Sequence, residues 1–246
     1  MVSNTTQSQI SSDLVTENAP LHLSIADSLA YEIVNNKWEP KTNRKLEDIQ
    51  KQYGISRTVA REATRLLASL GCVQFQRGTG VIACNPENWD DLNTRVITWK
   101  LHSPYRENEL RALTELRLVV EPAAAAGCAL RGDVEIRYKL GVIGHDMVKA
   151  VEENRLADFH ELDIQFHTLL LANSGNPIFA KLSSIVESVL RGRVELNLYP
   201  QKPNKEAILN HKKVTQAIME GDAAAASAAM HDIVAEVNTA LGLAAL

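Results

Sequence analysis

Residues 46–83 constrain the fold more than any other stretch of the chain. Residues 46–53 have helical spacing, and a second helix is predicted over 58–70, with a serine at its cap position. Two short runs of β-branched and aromatic residues within 72–83 flank a Gly-x-Gly tip, which predicts a hairpin. A further helix is predicted over 21–35. This order of elements predicts a winged helix-turn-helix domain.

Positive charge is concentrated in the same part of the chain. Residues 37–80 hold nine lysines and arginines against four acids, although the whole chain carries a net charge of −4. A basic module on an acidic body is typical of a DNA-binding domain fused to a second domain.

The remainder of the chain has the periodicity of helices only. Breaks rich in glycine, proline and asparagine separate seven predicted helices, at about 89–101, 107–130, 134–153, 156–173, 177–198, 205–220 and 223–241. We therefore expect a mainly α protein with three parts, in which an antiparallel all-helical bundle follows the winged domain. These parts are a flexible tail over 1–20, the winged domain over 21–87 and the helical domain over 88–246.

Neither an export signal nor a membrane-spanning segment is apparent in the sequence. No basic stretch followed by an apolar run opens the chain, and no apolar run approaches the roughly 20 residues that a bilayer requires. The three cysteines, which form no paired motif, are typical of reduced residues. We expect a cytoplasmic protein that does not contact a membrane.

The stretch 54–63, GISRTVAREA, together with the tip RGTG at 77–80, resembles the recognition helix and wing of the GntR family of regulators. The resemblance implies binding to a double-stranded DNA operator. It also implies that six residues contact the DNA, namely Ser56, Arg57, Thr58, Arg61, Arg77 and Gly78. The alternative is that these arginines are solvated helix charges. Where the family often has an arginine in the preceding helix, this chain has Glu47, and Arg44 or Lys45 is the expected replacement.

A candidate metal site lies in the helical half. Asp163 and His167 are four residues apart and share one helix face, and His211 opens a helical stretch downstream. One carboxylate and two imidazoles suit a borderline divalent ion, with zinc expected first and nickel or manganese as alternatives. The alternative is a surface ion pair or a core histidine.

Three further motifs resemble the all-helical effector domain, called FCD, of the FadR-like branch of this family. They are ELRLVVEP at 115–122, FHELDIQFH at 159–167 and ANSGNP at 172–177. In that domain an aspartate and three histidines usually hold a metal, and Asp163, His167 and His211 match three of these positions. Ile233 stands at the fourth, and His231 should face elsewhere on the helix. The resemblance therefore implies a three-ligand site with positions left for water or a ligand. His160, His145 and His102 are expected to be structural or exposed.

Arginines near this site suggest what it senses. Arg117 is expected to grip a ligand carboxylate, or to pair with a neighbouring glutamate, and Arg191 and Asn197 are weaker candidates for the same pocket. The linker sequence and Ile233 are similar to the subgroup that regulates galactonate breakdown. That similarity implies a sugar-acid effector, such as an aldonate, which releases a homodimeric repressor from its operator.

Two other functions fit parts of the sequence. A metal-dependent, hydrolase-like enzyme would use the His/His/Asp site, but no general base is recognisable beside it. An architectural DNA-binding protein would use the helical half for dimerisation alone. We expect a regulator that is not an enzyme.

Overall fold

The computed structural model describes residues 20–199, 205–240 and 242. Residue contacts divide the chain into two compact units, Met1–Trp99 and Lys100–Leu246. The predicted tail lies outside the described residues except for Pro20, which directly precedes the first helix.

The first unit has the predicted winged helix-turn-helix order. Antiparallel strands pair in the order β1-β3-β2. Its elements are α1 (Leu21–Val34), β1 (Asn43–Arg44), α2 (Leu46–Tyr53), α3 (Arg57–Ser69), β2 (Val73–Gln76) and β3 (Gly80–Ala83). The prediction missed β1, because two residues are too few to show the alternation by which a strand is recognised.

Gly80 allows β1 to lie close to the hairpin. Its φ is +118°, and a Cβ there would approach the carbonyl oxygen of Arg44 to 2.5 Å. Only glycine fits this backbone conformation at this separation. Gly80, the second glycine of the Gly-x-Gly tip, is therefore required by the close approach of β1 as well as by the turn between β2 and β3.

The segment 89–93 departs from the predicted helix over 89–101, because α4 spans Thr94–Leu101. Trp89 is buried and donates a hydrogen bond from its indole nitrogen to the carbonyl of Cys84 at 3.4 Å. The amide of Asp90 donates to the carbonyl of Leu70 at 3.0 Å. Burial of the tryptophan and this bond to the end of α3 hold the segment outside helical geometry.

Asp27 of α1 ties the first part of α4 to the winged unit. Its Oδ1 accepts hydrogen bonds from Arg95 at 2.6 Å and from the indole of Trp99 at 3.1 Å. The boundary between the contact units accordingly lies after Trp99, whereas the sequence suggested a division after residue 87.

The described part of the second unit after α4 consists of helices, as expected from the sequence. Among these, α5 packs against α7, α8, α9 and α10. The bounds of these helices agree with prediction to within three residues. The helices are α5 (Arg106–Arg131), α6 (Val134–Glu152), α7 (Leu156–Ala172), α8 (Pro177–Glu195), α9 (Lys205–Glu220) and α10 (Ala223–Ala240).

The turn between α7 and α8 is fixed against α5. Arg131 donates two hydrogen bonds to the carbonyl of Ser174, at 2.6 and 3.1 Å. Gly127 permits this approach, because a Cβ there would lie 2.4 Å from the same carbonyl oxygen. The ANSGNP motif thus sets the position of α7, which carries two of the candidate metal ligands.

Among the described residues, none of the helices combines the length and the apolar character that crossing a membrane demands.

Replacing Gly80 with alanine should lower the free energy of unfolding of the first unit by about 3 kcal/mol, through strained backbone and collision with β1. Gly78→Ala is the matched control, since its φ is +77° but a Cβ there meets no atom within 4 Å; about 1 kcal/mol is expected. All three tryptophans lie in the first unit, so fluorescence-detected denaturation measures its unfolding. Equal losses for the two variants would contradict the role assigned to β1.

Candidate DNA-binding and ligand sites

The helix α3 presents a polar face to solvent at its amino-terminal end. Ser56 caps the helix, with its hydroxyl accepting a hydrogen bond from the amide of Val59 at 3.3 Å. Ala60, Ala63 and Leu67 are fully buried on the opposite face. Burial of this apolar stripe turns the polar face outward.

All six predicted DNA contacts are exposed in the structure. Four lie at the start of α3, and the other two lie in the turn that joins β2 to β3. Gly78 adopts a φ of +77° in that turn, which keeps its backbone free of a side chain at the tip. The recognition residues are Ser56, Arg57, Thr58, Arg61, Arg77 and Gly78.

Contacts around Glu47 distinguish Arg44 from Lys45, the two residues expected to replace a DNA-contacting arginine. Glu47 lies 3.8 Å from Arg57, and both side chains are exposed. Arg44 is ion-paired with Glu32 and lies over the ring of Trp38, 4.7 Å from its centroid. Arg44 is therefore engaged within its own unit, whereas Lys45 is exposed.

The three predicted metal ligands come together in the second unit. Asp163 and His167 of α7 meet His211 of α9, and all three are buried. Asp163 Oδ1 lies 3.4 Å from His167 Nε2 and 3.1 Å from His211 Nε2. One donor atom from each residue lies within 4.8 Å of the others.

Glu121 of α5 holds the other side of His167. Its Oε2 lies 2.7 Å from His167 Nδ1, and the carboxylate accepts hydrogen bonds from Arg117 at 2.6 and 3.3 Å. Glu121 is fully buried. Burial opposes its ionisation, but the charges of Arg117 and His167 outweigh that effect and lower the pKa of Glu121 to about 2.

The same contacts explain the protonation of His167. Burial disfavours its charged form, but Glu121 and Asp163 together raise the pKa of His167 to about 9 when no ion is bound. Asp163 is likewise held ionised against burial, with its pKa well below the usual value, mainly by His167 and His211. Tyr199 donates a hydrogen bond to Asp163 Oδ2 at 3.1 Å.

These residues fit a divalent metal ion. With zinc bonds of about 2.0–2.1 Å, tetrahedral donor atoms lie about 3.3 Å apart. The two separations from Asp163 Oδ1, at 3.1 and 3.4 Å, bracket that value. Glu121 against Nδ1 also orients His167 as metal-binding histidines usually are, with the other nitrogen toward the donors. Sequence spacing did not assign this role to Glu121, since it depends on α5 meeting α7.

Two other predicted residues lie away from this cluster. Arg191 is exposed and forms ion pairs with Glu161 at 3.0 Å and with Glu187 at 2.9 Å. Asn197 is exposed just past the end of α8, with a φ of +54°. On α10, Ile233 is buried and His231 is exposed, so the two differ in orientation as the helical spacing predicted.

The histidines outside the predicted ligand set occupy varied environments. His102 lies 3.4 Å from Glu195, and His145 lines a groove of about 370 Å³ between α6 and α9. None of the candidate metal ligands lines that groove. His160 is partly buried beside Tyr199, with ring centroids 4.3 Å apart.

Comparison with protein families identifies both units. The FCD domain model matches residues 112–236, just over half of the chain, and the model for bacterial regulatory proteins of the gntR family matches residues 21–82. The chain is a gntR-family regulator with an FCD domain. The regulator binds DNA and controls transcription, and the alternative of a metal-dependent enzyme is set aside on these matches.

Individual relatives agree with this assignment. The galactonate operon transcriptional repressor of Escherichia coli K12 is 28% identical over 204 residues, which cover 81% of this chain and 88% of that protein. Among solved structures, Lar of Listeria monocytogenes is 17% identical, with a TM-score of 0.58 over 92% of this chain and 99% of that one. McbR/YncC of E. coli is 15% identical, with a TM-score of 0.50 over 91% and 98%. The two structures share the fold of the regulator.

Replacing Glu121 with alanine should destabilise the second unit by about 3–5 kcal/mol, because the buried guanidinium of Arg117 would lose the carboxylate that binds it. Glu161→Ala is the control, since it removes an exposed partner of Arg191 and should cost about 1 kcal/mol or less. Chemical denaturation followed by far-ultraviolet circular dichroism measures both. A loss below about 1 kcal/mol for Glu121→Ala would show that the bridge is not structural.

Proposed function

We propose that the regulator represses an operon for the breakdown of a sugar acid, such as the aldonate galactonate, and is released from its operator by that acid. The buried group of Asp163, His167 and His211, inside an FCD domain, is the observation that carries this proposal. The name of the E. coli relative supports repression and the class of effector.

Operator binding is assigned to the recognition residues of α3 and the wing. Arg57 and Arg61 are four residues apart on an exposed helix face, and a guanidinium can fork onto the acceptors of guanine in the major groove. The exposed wing tip can approach a neighbouring groove. The excess of positive charge within residues 37–80, against net negative charge over the rest of the chain, supports this assignment.

The metal site is assigned to Asp163, His167 and His211, with zinc as the expected ion and nickel or manganese as alternatives. The bound ion supplies positive charge and open coordination positions to carboxylate and hydroxyl oxygens. Glu121 orients His167, and Arg117 keeps Glu121 ionised. With only three protein ligands, a bound ion would also be open to the oxygens of an α-hydroxy acid.

Control of transcription then follows from thermodynamic linkage between effector binding and operator binding. An effector that prefers the operator-free state of the regulator lowers operator affinity by the ratio of its affinities for the two states. We also assign the regulator a homodimeric state, since two recognition helices read a palindromic operator. Exposed apolar side chains on α5 and α6, including Val119 at 70%, Val134 at 84% and Tyr138 at 66% exposure, support association with a second copy.

Arg61→Ala tests the recognition helix. The substitution should weaken operator binding by about 1–3 kcal/mol, because it removes a base contact without disturbing the buried face of α3. Fluorescence anisotropy with a fragment of the regulator's own promoter measures the change. The control is Arg111→Ala, an exposed arginine on α5. Equal affinities for the two variants would remove Arg61 from the interface.

His211→Ala tests the metal and the response to effector together. The variant should lose bound metal, measured by mass spectrometry of the purified protein, and should keep its operator affinity in the absence of effector. D-galactonate or D-gluconate should release the operator from the parent protein and should fail to do so with the variant.

The control for that experiment is His231→Ala, which changes an exposed histidine outside the cluster. It should retain both metal and response. Operator binding by the parent protein that no sugar acid alters would contradict the proposed control, and full metal content in His211→Ala would contradict the proposed ligand set.

A further inference from the structure

Arg193 is a buried cation without an acidic partner. This arginine of α8 is only 3% exposed. Its Nε atom is buried and has no hydrogen-bond partner, and among the residues that the structure describes no carboxylate forms an ion pair with it. Burying an unpaired charge is costly, so such a group is retained where something else compensates it.

Other buried cations of the described second unit are treated differently. Arg117 donates two hydrogen bonds to Glu121, and the ammonium group of Lys100 lies 3.9 Å from Glu109. The guanidinium of Arg117 is therefore already occupied by a carboxylate. The edge of the guanidinium formed by Nε and Nη2 is taken by Glu121, so a ligand carboxylate could use only the donors that remain.

Arg193 lies next to the candidate metal ligands. Its guanidinium carbon is 4.2 Å from the centroid of the Tyr199 ring, and the Tyr199 hydroxyl donates to Asp163. Burial, reinforced by the charge of Arg117, lowers the pKa of Arg193 despite the opposing charges of Asp163 and Glu121. The neighbouring carboxylates thus do not compensate for its burial.

A second unsatisfied nitrogen lies at the same place. The ring of His160 packs against Tyr199, with centroids 4.3 Å apart, and His160 Nε2 is buried without a hydrogen-bond partner. Tyr199 therefore carries Arg193 and His160 as neighbours, and both have polar atoms with no partner in the described protein. Two buried nitrogens without hydrogen-bond partners, both beside the ring of Tyr199, indicate a subsite for a polar group.

Charge favours an anion in this subsite. Arg117 and Glu121 neutralise each other, and a divalent ion would more than offset Asp163. Arg193 then adds a further positive charge, which stacks on Tyr199 and has no acidic ion-pair partner among the described residues.

We propose that Arg193 is the receptor for a carboxylate of the effector, and that His160 contacts a hydroxyl group of the same molecule. The planar fork of an arginine matches the two oxygens of a carboxylate. This inference rests on the proposed sensing function of the second unit. It differs from the sequence-based expectation, in which Arg117 grips the carboxylate or pairs with a glutamate, and in which Arg191 and Asn197 lie near the pocket.

The experiment compares D-galactonate with galactitol, which has the same carbon chain without the carboxylate. Both are titrated calorimetrically into the metal-loaded, full-length protein, and the melting temperature is recorded with and without ligand. The parent protein should bind the aldonate and should not respond to the alditol. Arg193→Met should lower aldonate affinity by about 10- to 100-fold with unchanged metal content. Arg193→Lys should fall between the two, because it keeps the charge and loses the fork.

The stability of the ligand-free protein separates binding from a structural role. Arg193→Met should melt at the same or a higher temperature than the parent, because it removes an uncompensated buried charge. The control is Arg155→Met, an exposed arginine paired with Glu153, which should bind the aldonate as the parent does. A marked fall in the melting temperature of ligand-free Arg193→Met would overturn the proposal, and so would parent-like aldonate affinity in that variant.

Failure of the two proposals can be told apart. Aldonate binding that requires Arg193 but leaves operator binding unchanged would support the subsite and reject the proposed control of transcription. Release of the operator by aldonate from Arg193→Met, with the same midpoint as the parent, would support that control and reject the subsite. If neither D-galactonate nor D-gluconate binds the parent protein, the carboxylate subsite is rejected.

Discussion

The second unit depends on one buried carboxylate. Glu121 is fully buried and is held between the guanidinium of Arg117 and the Nδ1 atom of His167. A charge in this position is tolerable only because both partners are within hydrogen-bonding distance. The bridge joins α5 to α7, and it points the second nitrogen of His167 toward Asp163 and His211. The orientation of His167 among the candidate metal ligands thus follows from the need to satisfy this buried anion.

The arginines of this unit likewise differ in whether an acidic side chain already binds them. Arg117 is committed to Glu121, and Arg191 is committed to exposed acids. Arg193 is the buried guanidinium that the described residues leave without an acid. Because a buried charge must be compensated, the arginine that is least satisfied by the protein is the one best prepared for an anionic ligand. Structural support and ligand recognition are then carried by different residues of similar chemistry.

In the winged unit too, some arginines are bound by other side chains of the unit and others are exposed. Arg44 is used inside the unit, where it pairs with Glu32 and covers Trp38, while the arginines of α3 and the wing remain exposed. Glu47 lies near Arg57 and offsets part of its charge. A count of basic residues therefore overstates the surface that can meet phosphates. Exposure decides which of them are available to DNA.

The sequence by itself determined the order of the helices and the hairpin, the bounds of most helices and the three candidate metal ligands, because these follow from local periodicity, caps and short motifs. It did not determine β1, the course of residues 89–93, the bridging role of Glu121 or the position of Arg193. Each of these depends on which helix faces and strands meet. Arg191 and Arg193 are two residues apart and so point about 200° apart around α8. Only the packing of α8 in the bundle decides that the first is solvated and the second is buried.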